Sequence, residues 1–226
     1  MKFTFYGHAC FGLEVGGKKL LFDPFISGNP KASGIDIASL EADYILITHG
    51  HGDHIADAVQ LAKQTGATCV SNFEIVQWLG GQGVDKGHPM NLGGAWRFDF
   101  GTVKMVNALH SSSFPDGSYA GCPAGFIVES GGRFVYVAGD TALKQEMQRW
   151  GEDYNFDAVV LPVGDNFTMG YADAARAATW LQCSQVVGVH FDTFPYVEID
   201  HAAATAAFAD AGHTLTLPEI GASFEL

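Results

Sequence analysis

Three histidines and one carboxylate fall within the six residues 49–54, directly after a short apolar run. Residues two apart in an extended segment point the same way, so His49 and His51 can bind one ion. Asp53 and His54 come where the chain is expected to turn into a helix, and they can face a second ion. Imidazole and carboxylate together suit divalent transition metals such as Zn, Mn or Fe. The stretch therefore predicts a metal site at the end of a buried strand.

Gly50 and Gly52 separate these ligand-type residues and let the backbone bend tightly around a metal. A solvated turn that happens to carry histidines is the alternative interpretation. Only nine histidines occur in 226 residues, and three of them lie here. This concentration favours the metal site.

Composition sets limits on the fold and on the partners. A hydrophobic content of 47% with 17 Phe is enough for a substantial core. No linker-like stretch divides the 226 residues, so we expect a single domain over residues 1–226. The formal charge of −13, with only 12 Lys and Arg, disfavours a nucleic-acid partner, because phosphate contacts need clustered cations.

The cysteines and the start of the chain bear on its compartment. Cys10, Cys69, Cys122 and Cys183 are scattered without close pairing, which is typical of reduced thiols. The first residues resemble a strand rather than a signal peptide, and no run approaches the length of a membrane span. We therefore expect a cytoplasmic protein with no membrane partner.

Apolar runs between turn signals predict the secondary structure. In the first half they predict strands at Lys2–Tyr6, Cys10–Val15, Lys19–Phe22, Tyr44–Thr48 and Thr68–Val70, with helices over 55–66 and Phe73–Leu79. In the second half they predict strands at Ala95–Phe100, Thr102–Ala108, Ala124–Ser130, Arg133–Ala138, Ala158–Leu161 and Gln185–Val189, with helices at Asp173–Leu181 and Ala202–Ala211. Periodicity thus indicates two β-rich halves with helices outside.

Four further polar residues come immediately after apolar strands: Asp23, His110, Asp140 and His190. The carboxyl ends of strands are where side chains distant in sequence meet at a ligand. A lone Asp or His in such a position is more often a turn residue. Their joint occurrence with the histidine cluster favours a shared site.

These motifs, in this order, resemble those of the metallo-β-lactamase superfamily, over nearly the whole chain. The motifs that carry the resemblance are Thr48–His54, His110, Gly139-Asp140-Thr141 and His190. Others narrow it to a compact family of bacterial and archaeal metal-dependent hydrolases, with ascorbate-phosphate lactonase-type enzymes as more distant relatives: Gly7–Phe11, His88–Gly94, Gly164–Gly170 and His190–Pro195. The resemblance implies an α/β (α+β) fold, a four-layer αβ/βα sandwich with a metal site at one edge of the paired sheets.

The resemblance also implies which residues hold two divalent metal ions, with zinc expected first and Mn or Fe as alternatives. The first metal would be held by His49, His51 and His110, the second by Asp53, His54 and His190, and Asp140 would bridge them. Asp23 would support the site from behind by hydrogen bonding, as ligating histidines require.

The remaining candidates are less directly indicated. His8 is expected to line the pocket as a catalytic residue that hydrogen-bonds the substrate or moves a proton. Asn166 is expected either to donate to a substrate oxygen or simply to form a turn. His88 is a weaker candidate for the pocket, and His201 and His213 are expected at the surface.

Together these residues predict a metal-dependent hydrolase. Two cations can share one water and lower its pKa toward about 7, which gives a metal-bound hydroxide as the nucleophile. Asp53 is expected to orient that water and take up its proton. The substrate would be a small molecule with an ester, lactone, amide or phosphodiester bond. The chain has neither a G-x-S-x-G elbow nor a Cys in a catalytic context, so another nucleophile is not indicated.

Three alternatives remain at this point. Diiron redox enzymes of the same fold typically replace one histidine of the first cluster by Glu, whereas this chain keeps all three; a single-iron dioxygenase is harder to separate on ligands alone. A nuclease would need a basic surface. A non-catalytic metal-binding domain would be expected to lack ligands, and none is missing.

Overall fold

The computed structural model describes residues 1–226, which form two seven-stranded sheets flanked by helices. The first sheet contains β1 (Lys2–Gly7), β2 (Cys10–Val15), β3 (Lys18–Phe22), β4 (Tyr44–Leu46), β5 (Thr68–Asn72), β6 (Gly87–Met90) and β14 (Ser223–Glu225). The second contains β7 (Ala95–Phe98), β8 (Gly101–Asn107), β9 (Ala124–Ser130), β10 (Arg133–Val137), β11 (Phe156–Pro162), β12 (Gln185–Val189) and β13 (Thr214–Thr216). The helices are α1 (Gly52–Ile55), α2 (Ala58–Thr65), α3 (Phe73–Gly81), α4 (Glu146–Asp153), α5 (Tyr171–Trp180) and α6 (His201–Asp210).

Each sheet begins as antiparallel hairpins and continues as parallel strands. The first sheet has the order β14-β1-β2-β3-β4-β5-β6, and the strands from β3 to β6 are parallel. The second has the order β13-β12-β11-β10-β9-β8-β7, and the strands from β10 to β13 are parallel. Parallel neighbours need crossover connections, which the helices supply on the outer faces. As a result, several strands of both sheets end at the same edge.

The two sheets pack face to face through aromatic side chains. Phe11 stacks between Phe3 and Phe22, with ring centroids 4.7 and 4.5 Å apart, and Phe22 reaches Phe126 of the second sheet at 6.3 Å. One cluster of buried side chains contains residues of both sheets and of helices α4 to α6. A second cluster lies between the first sheet and helices α1 to α3. The order of layers is therefore helices, sheet, sheet, helices, and the sandwich that the resemblance implied is confirmed.

Most predicted elements are present within one or two residues of their expected ends. Cys10–Val15, Ala124–Ser130 and Gln185–Val189 match fully. Asp200 caps α6 by accepting from the N–H groups of Ala202 and Ala203.

Four elements have no counterpart in the prediction: β6, α4, β13 and β14. The three strands have only three or four residues each, and β6 includes Pro89. Such short strands show no periodicity of their own and are held by pairing with a neighbour. None of the helices combines the length and the apolar character that spanning a membrane requires.

Candidate metal centre

The ligand-type residues meet at the edge where the parallel strands end. Asp23 follows β3, the segment 48–54 follows β4, and His110 comes three residues after the end of β8. Asp140 and His190 come shortly after β10 and β12 of the second sheet. Strand order in both sheets therefore brings together side chains that are far apart in sequence.

His49, His51 and His110 form one group whose ring nitrogens lie within 4.8 Å of one another. The His49 Nε2 atom is 3.0 Å from the His51 Nδ1 atom. Gly50 lies between them, and a Cβ there would collide with the side chain of Ala120. This glycine is therefore needed for close packing of the loop at 111–123 against the turn.

Asp53, His54 and His190 form a second group, and the structure adds His8 to it. Asp53 Oδ2 lies 4.0 Å from His54 Nε2 and 3.8 Å from His190 Nε2. The rings of His8 and His190 are only 4.0 Å apart. The second group thus combines side chains from both sheets.

Asp140 lies between the two groups. Its Oδ2 atom is 3.0 Å from His190 Nε2, 3.3 Å from His54 Nε2, 3.6 Å from His110 Nε2 and 3.9 Å from His49 Nε2. A single carboxylate oxygen is therefore close to imidazoles of both groups. Asp140 is therefore a candidate ligand for an ion held by either group.

Asp23 holds two of the histidines from behind. Its Oδ2 atom accepts from His54 Nδ1 at 2.9 Å and from the Thr48 hydroxyl at 2.7 Å. The Thr48 hydroxyl accepts in turn from His49 Nδ1 at 3.0 Å. Because an ionised carboxylate can only accept, the protons lie on the two Nδ1 atoms and each Nε2 atom faces the centre.

His51 is oriented through its Nε2 atom, whereas His49 and His54 are oriented through Nδ1. Its Nε2 atom is 3.3 Å from the Ser111 hydroxyl, so its Nδ1 atom is the one that faces His49. The neighbouring Ser112 accepts from the Gly50 N–H and donates to the carbonyl of Ala120. Sequence reasoning did not single out these serines, although their position directly after His110 is a usable signal.

His8 contacts Asp53 rather than solvent. It is 1% exposed, and its Nε2 atom lies 3.0 Å from Asp53 Oδ2. Its Nδ1 atom lies 3.0 Å from the hydroxyl of Thr193. Burial, together with the nearby His190, lowers the pKa of His8 to about 4, so the ring is neutral at pH 7. A neutral His8 that donates from Nε2 to Asp53 must accept the Thr193 proton at Nδ1.

Neighbouring charges shift the pKa values of the buried groups at the centre. Burial alone would lower its pKa, but Asp140 and Asp23 raise the pKa of His54 well above its ordinary value. Burial would raise the pKa of Asp140, yet His190 and His54 hold it well below its usual range. The pKa of Asp53 is also lowered against burial, chiefly by His8 and His54. Both carboxylates are therefore ionised at neutral pH.

The residues fit a divalent metal. The buried atoms His54 Nε2 and Asp140 Oδ1 have no hydrogen-bond partner, although each faces a polar neighbourhood. Unpartnered buried polar atoms are costly, and a bound cation would satisfy both. Imidazole nitrogens with carboxylate oxygens are a donor set that suits Zn, Mn and Fe.

The backbone is strained at three of these positions. His8, Asp23 and His190 have φ angles of 57, 42 and 59°, in the left-handed region that non-glycine residues rarely adopt. Each comes at or just beyond the end of a strand. Such strain costs about 1–3 kcal/mol per residue and is typical of functional sites.

The other candidates lie outside the cluster. Asn166 is exposed in a turn with φ 52° and makes no side-chain hydrogen bond, and His88 packs against Trp96 and Phe98 on the edge strand β6. His201 is exposed and pairs with Asp192, and the partly exposed His213 bonds Thr179. The structure brings none of them into contact with the metal-ligand candidates.

Known proteins resemble this chain over its full length. The beta-lactamase superfamily domain matches residues 2–190. A metal-dependent hydrolase of Flavobacterium johnsoniae is 52% identical over 226 residues, covering the whole of both chains. One from Methylacidiphilum infernorum is 54% identical over 93% of each chain. Among solved structures, Igni18, a metallo hydrolase of Ignicoccus hospitalis, is 34% identical, covers 100% of this chain and 98% of its own, and has a TM-score of 0.89.

Proposed function

The chain belongs to the beta-lactamase superfamily, and from that premise we propose that it is a metal-dependent hydrolase with a binuclear centre. His49, His51 and His110 would hold the first metal, Asp53, His54 and His190 would hold the second, and Asp140 would contribute to both. Zinc is the first choice of metal, with Mn or Fe as alternatives.

The position of Asp140 carries this proposal. One of its oxygens lies 3.0–3.9 Å from four imidazole nitrogens that belong to both groups. Asp23 also has several partners, but they hold it behind the histidines, whereas Asp140 lies between the two groups of potential ligands. When bound, two divalent cations supply Lewis-acid activation of a water molecule and of the substrate oxygen.

Asp53 and His8 are the residues that act on the proton of the water molecule. Asp53 is half-buried, and its low pKa keeps the carboxylate ionised, so that it can accept a hydrogen bond from a water molecule and orient it; we assign Asp53 as the acceptor of that water's proton. The His8 Nε2–H group holds the Oδ2 atom of Asp53 in place and leaves Oδ1 for the water. His8 acts through Asp53, because its own ring is buried and both nitrogens are engaged.

The substrate class is a small molecule with an ester, lactone, amide or phosphodiester bond. The test is to load metal-free protein with Zn, Mn or Fe and assay p-nitrophenyl acetate, a γ-lactone, bis-p-nitrophenyl phosphate and a chromogenic β-lactam. Asp140→Asn, prepared in parallel, is the matched control because it keeps the shape and removes the charge. Hydrolysis that is lost in Asp140→Asn and on chelation supports the proposal. Equal rates in both proteins, or none with any metal, would overturn it.

A further inference from the structure

Three loops at the metal-binding edge present large apolar side chains to solvent. Leu109, Phe167 and Tyr196 are 62, 53 and 74% exposed. They lie in the loops that follow β8, β11 and β12. We refer to these three residues as the apolar rim. Large exposed apolar groups clustered beside a site mark a ligand surface more often than chance exposure does.

Leu109 is joined directly to the centre. It precedes His110, and its backbone N–H donates to the Thr141 hydroxyl at 2.9 Å. Its carbonyl accepts from the N–H of Ala142 at 3.2 Å. The loop with Leu109 and the loop with Asp140 are thus bonded together, and the Leu109 side chain is left exposed.

Phe167 is brought to the same place by a tight turn. The N–H of Met169 donates to the carbonyl of Thr141 at 3.0 Å, which ties this turn to the Asp140 loop. The positive φ of Asn166 sits at the tip, next to Phe167. The Phe167 ring meets the Tyr196 ring edge-on, with centroids 6.2 Å apart. Two exposed aromatic groups therefore share one surface.

Further aromatic rings lie on the same strand-end side, around His8. The half-buried Phe194 has its ring 5.5 Å from that of His8 and 6.2 Å from that of Phe25. Phe194 and Tyr196 belong to the same short segment after His190. Apolar surface therefore extends along this segment from the rim to the side of the second ligand group.

The charge of the proposed centre bears on the charge of the substrate it can take. No Lys or Arg forms a hydrogen bond or ion pair with any of the ligand-type residues. Lys144 is buried, and its Nζ donates to the carbonyl and the side-chain oxygen of Asn107. Two divalent cations would carry four positive charges, and Asp23, Asp53 and Asp140 together carry three negative charges. At most one positive charge remains, and a bound hydroxide would cancel it, so the centre would have no net positive charge to attract a phosphodiester anion.

We propose that the site takes an uncharged substrate, an ester, lactone or amide, whose acyl group is apolar and packs on Leu109, Phe167 and Tyr196. This rests on the proposed function and narrows it by removing anionic phosphate substrates. Each methylene that leaves water on an apolar surface strengthens binding by about two- to fourfold.

The test measures binding without turnover. Alkyl hydroxamates chelate divalent metals through two oxygens, so a series from acetohydroxamate to hexanohydroxamate varies only the apolar tail. Affinity for the metal-loaded protein is measured by calorimetry. Pentanohydroxamate and succinic monohydroxamate form a pair of similar length that differs in a terminal carboxylate. We expect affinity to rise about two- to fourfold per methylene, and the succinic compound to bind about tenfold more weakly than pentanohydroxamate.

Variants assign the effect to the rim. In Phe167→Ser and Tyr196→Ser the ratio of hexano- to acetohydroxamate affinity should fall by about threefold or more. Trp96→Ser is the matched control, since Trp96 lies on the edge strand β7, is 55% exposed and packs against His88 of β6, away from the ligand groups. That variant should keep the wild-type ratio.

The outcomes separate the two proposals. A flat affinity series, tighter binding of the succinic compound, or an equal loss in Trp96→Ser would overturn the apolar rim. A rising series that flattens only in the rim variants, in a protein that hydrolyses none of the panel, would keep the rim and overturn the hydrolase. A protein that binds no metal would overturn both.

Discussion

The backbone N–H of His190 donates to the carbonyl oxygen of His8 at 2.7 Å. His8 follows β1 of the first sheet and His190 follows β12 of the second, so this bond joins the two sheets at the metal-binding edge. Both residues have a left-handed φ near 60°, which turns the chain back over the strand ends. The hydrogen bond therefore stabilises the strained backbone at both positions, and the second ligand group depends on both sheets.

Asp140→Ala should reduce metal content more than any single histidine substitution. Its carboxylate is close to ligands of both groups, so its loss removes a shared ligand and the charge that offsets repulsion between two cations. Elemental analysis after loading with Zn, Mn or Fe should give up to two metals per wild-type chain and fewer than one in the variant. Full occupancy with near-normal turnover in Asp140→Ala would show that the carboxylate is not shared.

Asp23→Asn should weaken metal binding by about 10–100-fold, a typical cost of losing the group that orients a ligating histidine. Asp23 fixes His54 directly and His49 through Thr48. Competition with a chromogenic chelator measures the affinity of each metal.

Thr48→Val is the matched control for this prediction. It removes only the hydroxyl that holds His49 and keeps the bond from His54 to Asp23. Its loss of affinity should be smaller and confined to one metal. Identical losses in both variants would mean that Asp23 acts through packing rather than through hydrogen bonds.

Much of the architecture could be predicted from sequence because the long strands carry their own signal. Cys10–Val15 alternates cleanly, and the residues after apolar strands converge at one edge as parallel topology requires. The family to which the motifs point, and its sandwich fold, are confirmed. The ligand assignments stay predictions, although the structure places all seven residues together.

The features that could not be predicted from the sequence depend on contacts between residues that are far apart along the chain. β14 has three residues and is held by pairing with β1, where Phe3 lies opposite Phe224. Thr193 becomes important only because the fold brings it to His8. The exposure of Phe167 and Tyr196 could not be predicted either, because aromatic side chains are more often buried and only the fold leaves these two at the surface.

The metal-free protein should lose stability as the pH falls from 7.5 toward 5. His8 has a pKa of about 4 in the folded chain against an ordinary value of 6.5, because it is buried and lies beside His190. At pH 5 the unfolded chain therefore binds a proton that the folded chain does not, and protonation favours unfolding. Burial lowers the pKa of His49, His51 and His110 in the same direction, and together with His8 these outweigh the raised pKa of His54, which acts in the opposite direction.

Urea unfolding at several pH values measures this dependence. The free energy of unfolding should decrease between pH 7.5 and 5 in the wild-type protein, and the decrease should be smaller in His8→Gln. The same pH dependence in both proteins would show that His8 is not buried as a neutral ring.

His8→Ala should lower the rate of hydrolysis by about 10²-fold, the lower end for groups that assist proton transfer, while leaving the metal content intact. His8 is 1% exposed and does not reach solvent, so it acts by holding Asp53 Oδ2 at 3.0 Å. The loss should therefore appear in kcat rather than in KM.

Thr193→Val removes the hydroxyl that bonds His8 Nδ1 at 3.0 Å and leaves the ring in place, and it should give a smaller loss of the same kind. A His8→Ala protein that binds less metal would make His8 a ligand, since it lies in the same group as Asp53, His54 and His190. Unchanged kinetics would reduce it to a packed turn residue, and the strain at its φ of 57° would then have no catalytic role.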